Sequence, residues 1–448
     1  MRLFYHGTIL TMDEQKRIME DGVLVEHLGK IVALGDASLI EQYPQAEKVN
    51  LQGKILMPGL INAHVHLAQA LLRGQADDMP LEPWLLKRIW PFQAAHDTDS
   101  FLKSARLAML DMMLSGTTTF VESMVIHYGL EPLAEEVERL GLRGKLAKVV
   151  MHPMAGSILP VSLQENFKDS LAEARASKNK RGQDSLVEIW LGPRWTGMFN
   201  EQLMEDVKEA MEMEGFKATM HFAESEEDVE EIKKKSGLTP MAFLKKHHIL
   251  ENKMLLIHGT HLPVEDDRYW QDAQATLVHC PVSAMKGAMG YADVPRMQAQ
   301  GANVSLGTDA GACNNTHDLF REMRVASLWH KHEHQDTSIM PAGASLEMAT
   351  MGGARSLYMQ DIIGSLEVGK DADMITIEPN RVHLQPMFNL ASALVYSADG
   401  HDVRDVYVRG RQLVKNGVSL VLDQDKVIYE AKEAMQKTAN KAGMDIIR

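Results

Sequence analysis

The sequence predicts an α/β protein, a (β/α)8 TIM-like barrel with a small β-sandwich module built from both chain ends. Three observations predict it. Between residues 58 and 360, short apolar runs alternate with helical stretches. Eight such units in roughly 300 residues is the repeat of a closed parallel barrel with outer helices. Residues 1–57 and 361–420 read instead as short strands, and each set is too small to bury a core alone. Finally, the first barrel run ends on two histidines one residue apart, His64 and His66.

Taken in order, residues 3–5, 8–11, 23–25, 31–34 and 54–57 form the N-terminal strands, with Gly29-Lys30 as a hairpin turn. An apolar run then meets Pro58-Gly59 and continues as Leu60-Ile61-Asn62-Ala63-His64-Val65-His66. Strand alternation puts Asn62, His64 and His66 on one face and Ile61, Ala63 and Val65 on the other. The remaining barrel strands are expected at 117–121, 148–151, 187–191, 217–221, 254–258, 275–278 and 303–307. On the last, Asn303, Ser305, Gly307 and Asp309 share the inward face, and their small side chains leave room above the barrel floor. The acidic, amphipathic 201–214 suits the outer ring, and the charge run 225–236 reads as a solvated helix face. After residue 360, strands are expected at 374–377 and, about a turn, at 406–414. A charged amphipathic helix closes the chain within 421–448.

Composition excludes several function classes. At 448 residues the chain exceeds one ordinary core, so two domains are expected. A hydrophobic share of 45% beside 24% charged residues is that of a soluble globular protein. The net charge of −14 disfavours nucleic acid or an anionic membrane surface as partner. Cys280 and Cys313 make no disulfide framework, which suits a reducing cytosol. The N-terminal residues lack the apolar core of a signal peptide, and no apolar run approaches membrane-spanning length, so a cytoplasmic protein is expected. The thirty methionines are read as adaptable core filler.

Two imidazoles side by side on a strand end pack poorly but ligate metal well. Active groups of such barrels stand at the C-terminal ends of strands. There the chain places His221 on the fifth, His258 on the sixth and Asp309 on the eighth, with Glu224 just past the fifth. Four histidines and an aspartate on one rim are hard to explain as core packing.

These stretches resemble the amidohydrolase superfamily: residues 58–66, His221-x-x-Glu224, His258 and Gly307-Thr308-Asp309 carry its motifs, and the likeness covers nearly the whole chain. Within it the chain is most similar to the deaminases of methylthioadenosine and S-adenosylhomocysteine, with the triazine hydrolases as near relatives. The subgroup signal lies in Ala70–Gly74, Ala76–Leu81, Trp84-Leu85, Ile89-Trp90-Pro91 and Thr308–Asn315. The resemblance implies that His64, His66, His221 and Asp309 bind one divalent ion, zinc or alternatively iron(II), with a position left for water. Binuclear relatives bridge two metals through a lysine on the fourth strand; 187–191 contains none, so one ion per chain is implied. Glu224 would protonate a ring nitrogen, His258 would orient the nucleophile and Asp309 would accept its proton. Trp84, Gln93, Arg194 and Glu224 are the implied substrate contacts.

Three positions depart from the subgroup. Gln93 stands where these deaminases carry a ribose-binding glutamate, and Pro193-Arg194-Trp195 stands where they carry a Pro-His pair. Ser283-Ala284 replaces a Ser-Asn pair. The implied activity is that of a metal-dependent aminohydrolase acting on an aminated N-heterocycle of adenosine-derivative or purine type. The alternative is a triazine-type hydrolase that displaces chloride or alkylamine or opens a cyclic amide. A small-molecule substrate and a homo-oligomer are expected. A barrel kept only for binding would be expected to lose ligand positions, and here all are filled.

Overall fold

The computed structural model describes residues 1–152, 159–182, 184–194 and 201–447; Trp195 lies outside them. At its centre is a parallel sheet of β1 (Leu60–His66), β2 (Thr117–Val125), β3 (Arg143–Val150), β4 (Val187–Pro193), β5 (Ala218–Phe222), β6 (Met254–His258), β7 (Thr276–His279) and a broken β8 (Val304–Leu306 and Asp309–Ala310). Neighbours in sequence are neighbours in the sheet. The first piece of β8 pairs with β7 and the second with β1, so the sheet curls back on itself as a TIM-like barrel. Nearly every strand residue is buried, as expected when helices cover one face and the barrel interior fills the other.

The alternation expected for β1 is corrected. Its register against β2 slips between Leu60 and Ile61 and again between Asn62 and Val65. Ile61 and Ala63 join an apolar cluster with Val121, Ala147, Trp190, Leu255, Ile257 and Val278, drawn from strands all round the barrel. That is the interior, and the irregularity lets His64 and His66 turn inward above them. Asn62 instead bonds Thr308, its Oδ1 accepting from the backbone N–H at 3.0 Å and its Nδ2 donating to Oγ1 at 2.8 Å.

β3 starts at Arg143, five residues earlier than the apolar pattern at 148–151 suggests. Its charged residues are all paired: Arg143 with Asp371 (2.8 Å) and Asp373 (3.0 Å), Lys145 with Glu188 (2.9 Å), and Lys148 with Glu173 (2.9 Å). Lys217 also reaches Glu188 at 2.8 Å. Burial works to raise the Glu188 pKa, but the two lysines overcome it and hold it at about 2. The charge run near 225 is the helix Glu226–Ser236, capped by Ser225, and its Asp228 is buried rather than solvated.

Two further sheets lie outside the barrel, the first built from N-terminal strands and the second from both chain ends. One joins strands Arg2–Tyr5, Val23–His27, Lys30–Gly35 and Glu47–Asn50; its hairpin turns at Leu28-Gly29, one residue before the expected place. The other runs from Val418–Ser419 through Arg411–Lys415, Val403–Val408 and Met374–Ile377 to Ile55–Pro58, Thr8–Leu10 and Ile18–Met19. Strand Ile55–Pro58 leads directly into β1 through Gly59, where a Cβ would stand 2.2 Å from Thr118 Oγ1, so no side chain fits. The last helix, Gln424–Ala442, starts on the Asp423 cap and stops at Gly443, whose φ of 65° suits glycine. Among the described residues no helix is long and apolar enough to cross a membrane.

Candidate active site

The strand ends of β1, β5, β6 and β8 bring His64, His66, His221, His258 and Asp309 together at one rim. Ala223 (φ 47°), His258 (φ 76°) and Asp309 (φ 59°) leave their strands in the left-handed region, which non-glycine residues occupy at a cost of about 1–3 kcal/mol each. Such conformations concentrate at functional sites. Gly307 makes the turn possible: a Cβ there would meet His64 Cβ at 2.7 Å and Cys280 Sγ at 3.1 Å.

The donor atoms converge on one point. His64 Nε2 lies 3.3 Å and His66 Nε2 3.4 Å from Asp309 Oδ1, and His66 Nε2 lies 3.2 Å from His221 Nε2. Ligands about 2.0–2.1 Å from a tetrahedral ion stand roughly 3.3 Å apart, which is the spacing found. His64 Nε2 and both ring nitrogens of His258 are buried without a hydrogen-bond partner among the described residues. His64 Nδ1 is 2.7 Å from Ser123 Oγ; with Nδ1–H donating to that hydroxyl, the Nε2 lone pair faces the other donors.

Electrostatics favour the same use. Burial, reinforced by the neighbouring His64, lowers the His66 pKa to about 3 and takes His221 well below its ordinary value; burial takes His258 to about 4. These rings are therefore neutral and offer lone pairs. Burial alone would raise Asp309, but the histidines around it pull it well below the usual carboxylate range. A set of neutral imidazoles plus one carboxylate fits zinc, and iron(II) accepts the same donors. The second oxygen of Asp309, Oδ2, accepts from Ser283 Oγ at 2.6 Å.

Glu224 stands across the rim with Oε1 3.6 Å from His258 Nε2. Burial, helped by the carboxylates of Asp228 and Asp309, pushes its pKa well above the ordinary carboxylate value. Burial thus favours the neutral form of both groups, His258 without its second proton and Glu224 with its carboxyl proton, next to the donor cluster.

A cleft opens above, lined by His66, His221, Glu224 and Asp309 at its base and by Trp84, Leu85, Trp90, Gln93 and Arg194 on its wall. The structure thus places His64, His66, His221, His258, Asp309, Glu224, Trp84, Gln93 and Arg194 at this rim or in the cleft above it. Sequence reasoning missed Ser123 and Asp228, which act through a bond or a field from other elements, the support that Ser283 gives Asp309, and Gln69, which lines the cleft with a buried, unbonded Oε1. A buried side chain supported across the fold leaves no local pattern to find.

Residues 55–413 match the amidohydrolase family. The chain belongs to that family. Among its relatives, the 5-methylthioadenosine/S-adenosylhomocysteine deaminase of Bacillus cereus (strain AH820) is 32% identical over 431 residues, covering 96% of this chain and 97% of that one. A zinc-bound adenosine deaminase from Xanthomonas campestris superposes with a TM-score of 0.90 at 27% identity, over 98% of both chains. Zinc-complexed atrazine chlorohydrolase from Arthrobacter aurescens TC1 also gives 0.90, covering 97% of this chain and 100% of that one; at 24% identity the likeness is one of fold. As in other folds of this kind, the donor cluster and cleft of this amidohydrolase-family chain occupy the C-terminal rim of the barrel.

Proposed function

We propose that the protein is a metal-dependent hydrolytic deaminase of an aminated N-heterocycle, a hydrolase of C–N bonds other than peptide bonds. The observation that carries this reading is a cluster of donor atoms spaced 3.2–3.4 Å apart in three of its pairs, beside the buried carboxyl of Glu224. His64, His66, His221 and Asp309 would hold one ion, zinc or alternatively iron(II). One ion is the reading because β4 has no lysine and the nearby Lys145 and Lys217 are tied to Glu188. When bound, such an ion supplies a nucleophilic water near neutral pH.

The chain's own groups supply the proton movements. Glu224 gives its proton to a ring nitrogen, which makes the adjacent amine-bearing carbon electrophilic. Asp309 takes a proton from the attacking water, its other oxygen fixed by Ser283, and His258 orients that water from the far side. A C–O bond forms and the C–N bond breaks: the amino group takes the proton held by Asp309 and leaves as ammonia, the new hydroxyl gives its proton back to Glu224, and the ring keeps a carbonyl beside its N–H. Kinship with deaminases supports ammonia as the leaving group. A screen of aminated purines, pyrimidines, pterins and triazines for ammonia release by metal-replete enzyme tests it. No release from any ring, with the metal bound, would overturn it. Gln93 and Arg194, standing where the subgroup carries glutamate and histidine, favour a second reading in which chloride, an alkylamine or a cyclic amide bond is displaced; product analysis separates the two.

The same proposal takes in the surroundings. Phe4, Leu24 and Ile31 of one small sheet share a cluster with Ile9, Leu56, Met374 and Tyr407 of the other, which supports reading 1–57 and 361–420 as one β-sandwich module. It would sit beside a barrel of 58–360, with 421–448 as a terminal helix. A cytoplasmic homo-oligomer acting on a small heterocycle, without nucleic acid or membrane as partner, completes the reading.

A further inference from the structure

Glu322 is an acid on an apolar stripe. In the helix Leu319–His334 it stands among Leu319, Phe320, Met323 and Ala326, and it is fully buried. Withdrawing a carboxyl from water is costly unless its oxygens are bonded. Here Oε2 accepts from the backbone N–H of Val282 at 3.2 Å, and Oε1 accepts from Asn314 Nδ2 at 2.5 Å.

The two donors belong to different loops. Val282 lies in the first turn of the short helix Pro281–Lys286 after β7, where N–H groups have no helical acceptor and Cys280 gives no side-chain cap. Asn314 ends the helix Gly311–Asn314 after β8, and the same Nδ2 donates to the Thr308 carbonyl at 2.7 Å. Glu322 therefore ties down the neighbours of two residues that meet at the site, because Ser283 follows Val282 and Asp309 follows Thr308. Their own contact is the 2.6 Å bond from Ser283 Oγ to Asp309 Oδ2. With Oδ2 held, Oδ1 stays 3.3 Å from His64 Nε2 and 3.4 Å from His66 Nε2. The φ of 59° at Asp309 is not one its own backbone favours, so the surroundings have to impose it.

Building on the deaminase reading, we propose that Glu322 is a positioning residue for Asp309, bracing the loops after β7 and β8 so that the Asp309 carboxylate is aimed at the donor cluster. Asn62 pins Thr308 from the β1 side, and Glu322 pins it through Asn314 from the helix side.

Glu322→Gln tests this in the metal-replete enzyme. Glutamine keeps the shape, but its amide N–H2 has to face either the Val282 N–H or Asn314 Nδ2, so donor meets donor and one arm is lost. Zinc affinity, measured by competition with a chromophoric chelator, should fall about ten- to a hundredfold. The visible spectrum of the cobalt(II)-substituted protein should change with it. For ammonia release from the fastest ring of the screen, kcat should fall by a similar factor with KM little changed. Ser283→Ala acts through the same carboxylate, so in kcat the double variant should lose less than the product of the two single losses. Asn314→Ala, which frees Thr308 from Glu322, gives the same readouts if Glu322→Gln does not fold. A lowered melting temperature with wild-type zinc affinity, cobalt spectrum and kcat would leave Glu322 a role in stability alone and overturn the inference. Losses that simply multiply in the double variant would overturn the route through Asp309. Zinc affinity and the cobalt spectrum need no turnover, so a failure to release ammonia from any ring counts against the deaminase reading alone.

Discussion

Replacing Glu224 with glutamine separates proton delivery from shape. The variant keeps the length and planarity of the side chain and retains an N–H donor, but that donor has no transferable proton. The carboxyl makes no ion pair that the change would break, since His258, 3.6 Å away, is neutral with a pKa of about 4. The fold and the metal content should therefore stay close to wild type. General acid steps contribute about 10²–10⁴-fold, or roughly 3–5 kcal/mol of barrier, and the loss should fall on kcat with KM little changed. The sign of the pH dependence follows from burial. Glu224 has to be protonated, so activity that relies on it is present below its folded pKa and disappears as pH rises through it. Because that pKa is raised well above 4.5, the alkaline limb of the wild-type profile belongs to this group and should vanish in the variant. Steady-state kinetics of ammonia release across pH, with metal analysis of both proteins, make the comparison. A Glu224→Gln enzyme with near-normal kcat would refute the proton-donor role.

Three further outcomes are expected. Metal analysis should find close to one divalent ion per chain and His66→Ala should lose most of it; two tightly held ions, or full activity after exhaustive chelation, would contradict the site. Ser283→Ala removes the 2.6 Å bond to Asp309 Oδ2, and kcat should fall roughly ten- to a hundredfold with the metal retained and Ser283→Thr partly restoring it; an unchanged kcat would show that Asp309 needs no such support. Arg143→Met leaves the buried Asp373 with the Arg409 backbone N–H at 2.8 Å while Asp371 keeps Lys30 at 2.7 Å, and should cost about 3 kcal/mol in urea unfolding; a loss below about 1 kcal/mol would mean that these remaining partners suffice.

The groups at the strand ends were legible because they interrupt apolar runs: His64, His66, His221, His258 and Asp309 each stand at or just past the end of one. The local chain conformation was not. Period-two alternation put Ile61 and Ala63 on the helix side, yet the slip in β1 turns them inward, and no residue in that stretch signals the slip. Arg143 and Lys145 hid the start of β3, because charges look like surface until partners 43 to 230 positions away are in place. Asp228 was invisible as a site residue for the same reason, and the motif at Ser283-Ala284 did not show that Ser283 bonds Asp309. Their meaning lies in what other segments bring to them.

The junction at Gly59 has a consequence for the order in which the site is assembled during synthesis. The strand that feeds the His64/His66 segment, Ile55–Pro58, is flanked by Thr8–Leu10 on one side and Met374–Ile377 on the other. A nascent chain makes both histidines early, but the second flank leaves the ribosome more than 300 residues later. Until then the strand has one open edge, and the anchor point of the histidine pair is held from one side only. Asp309 also arrives before that flank does. The donor cluster is therefore complete in composition well before its first strand is clamped on both edges.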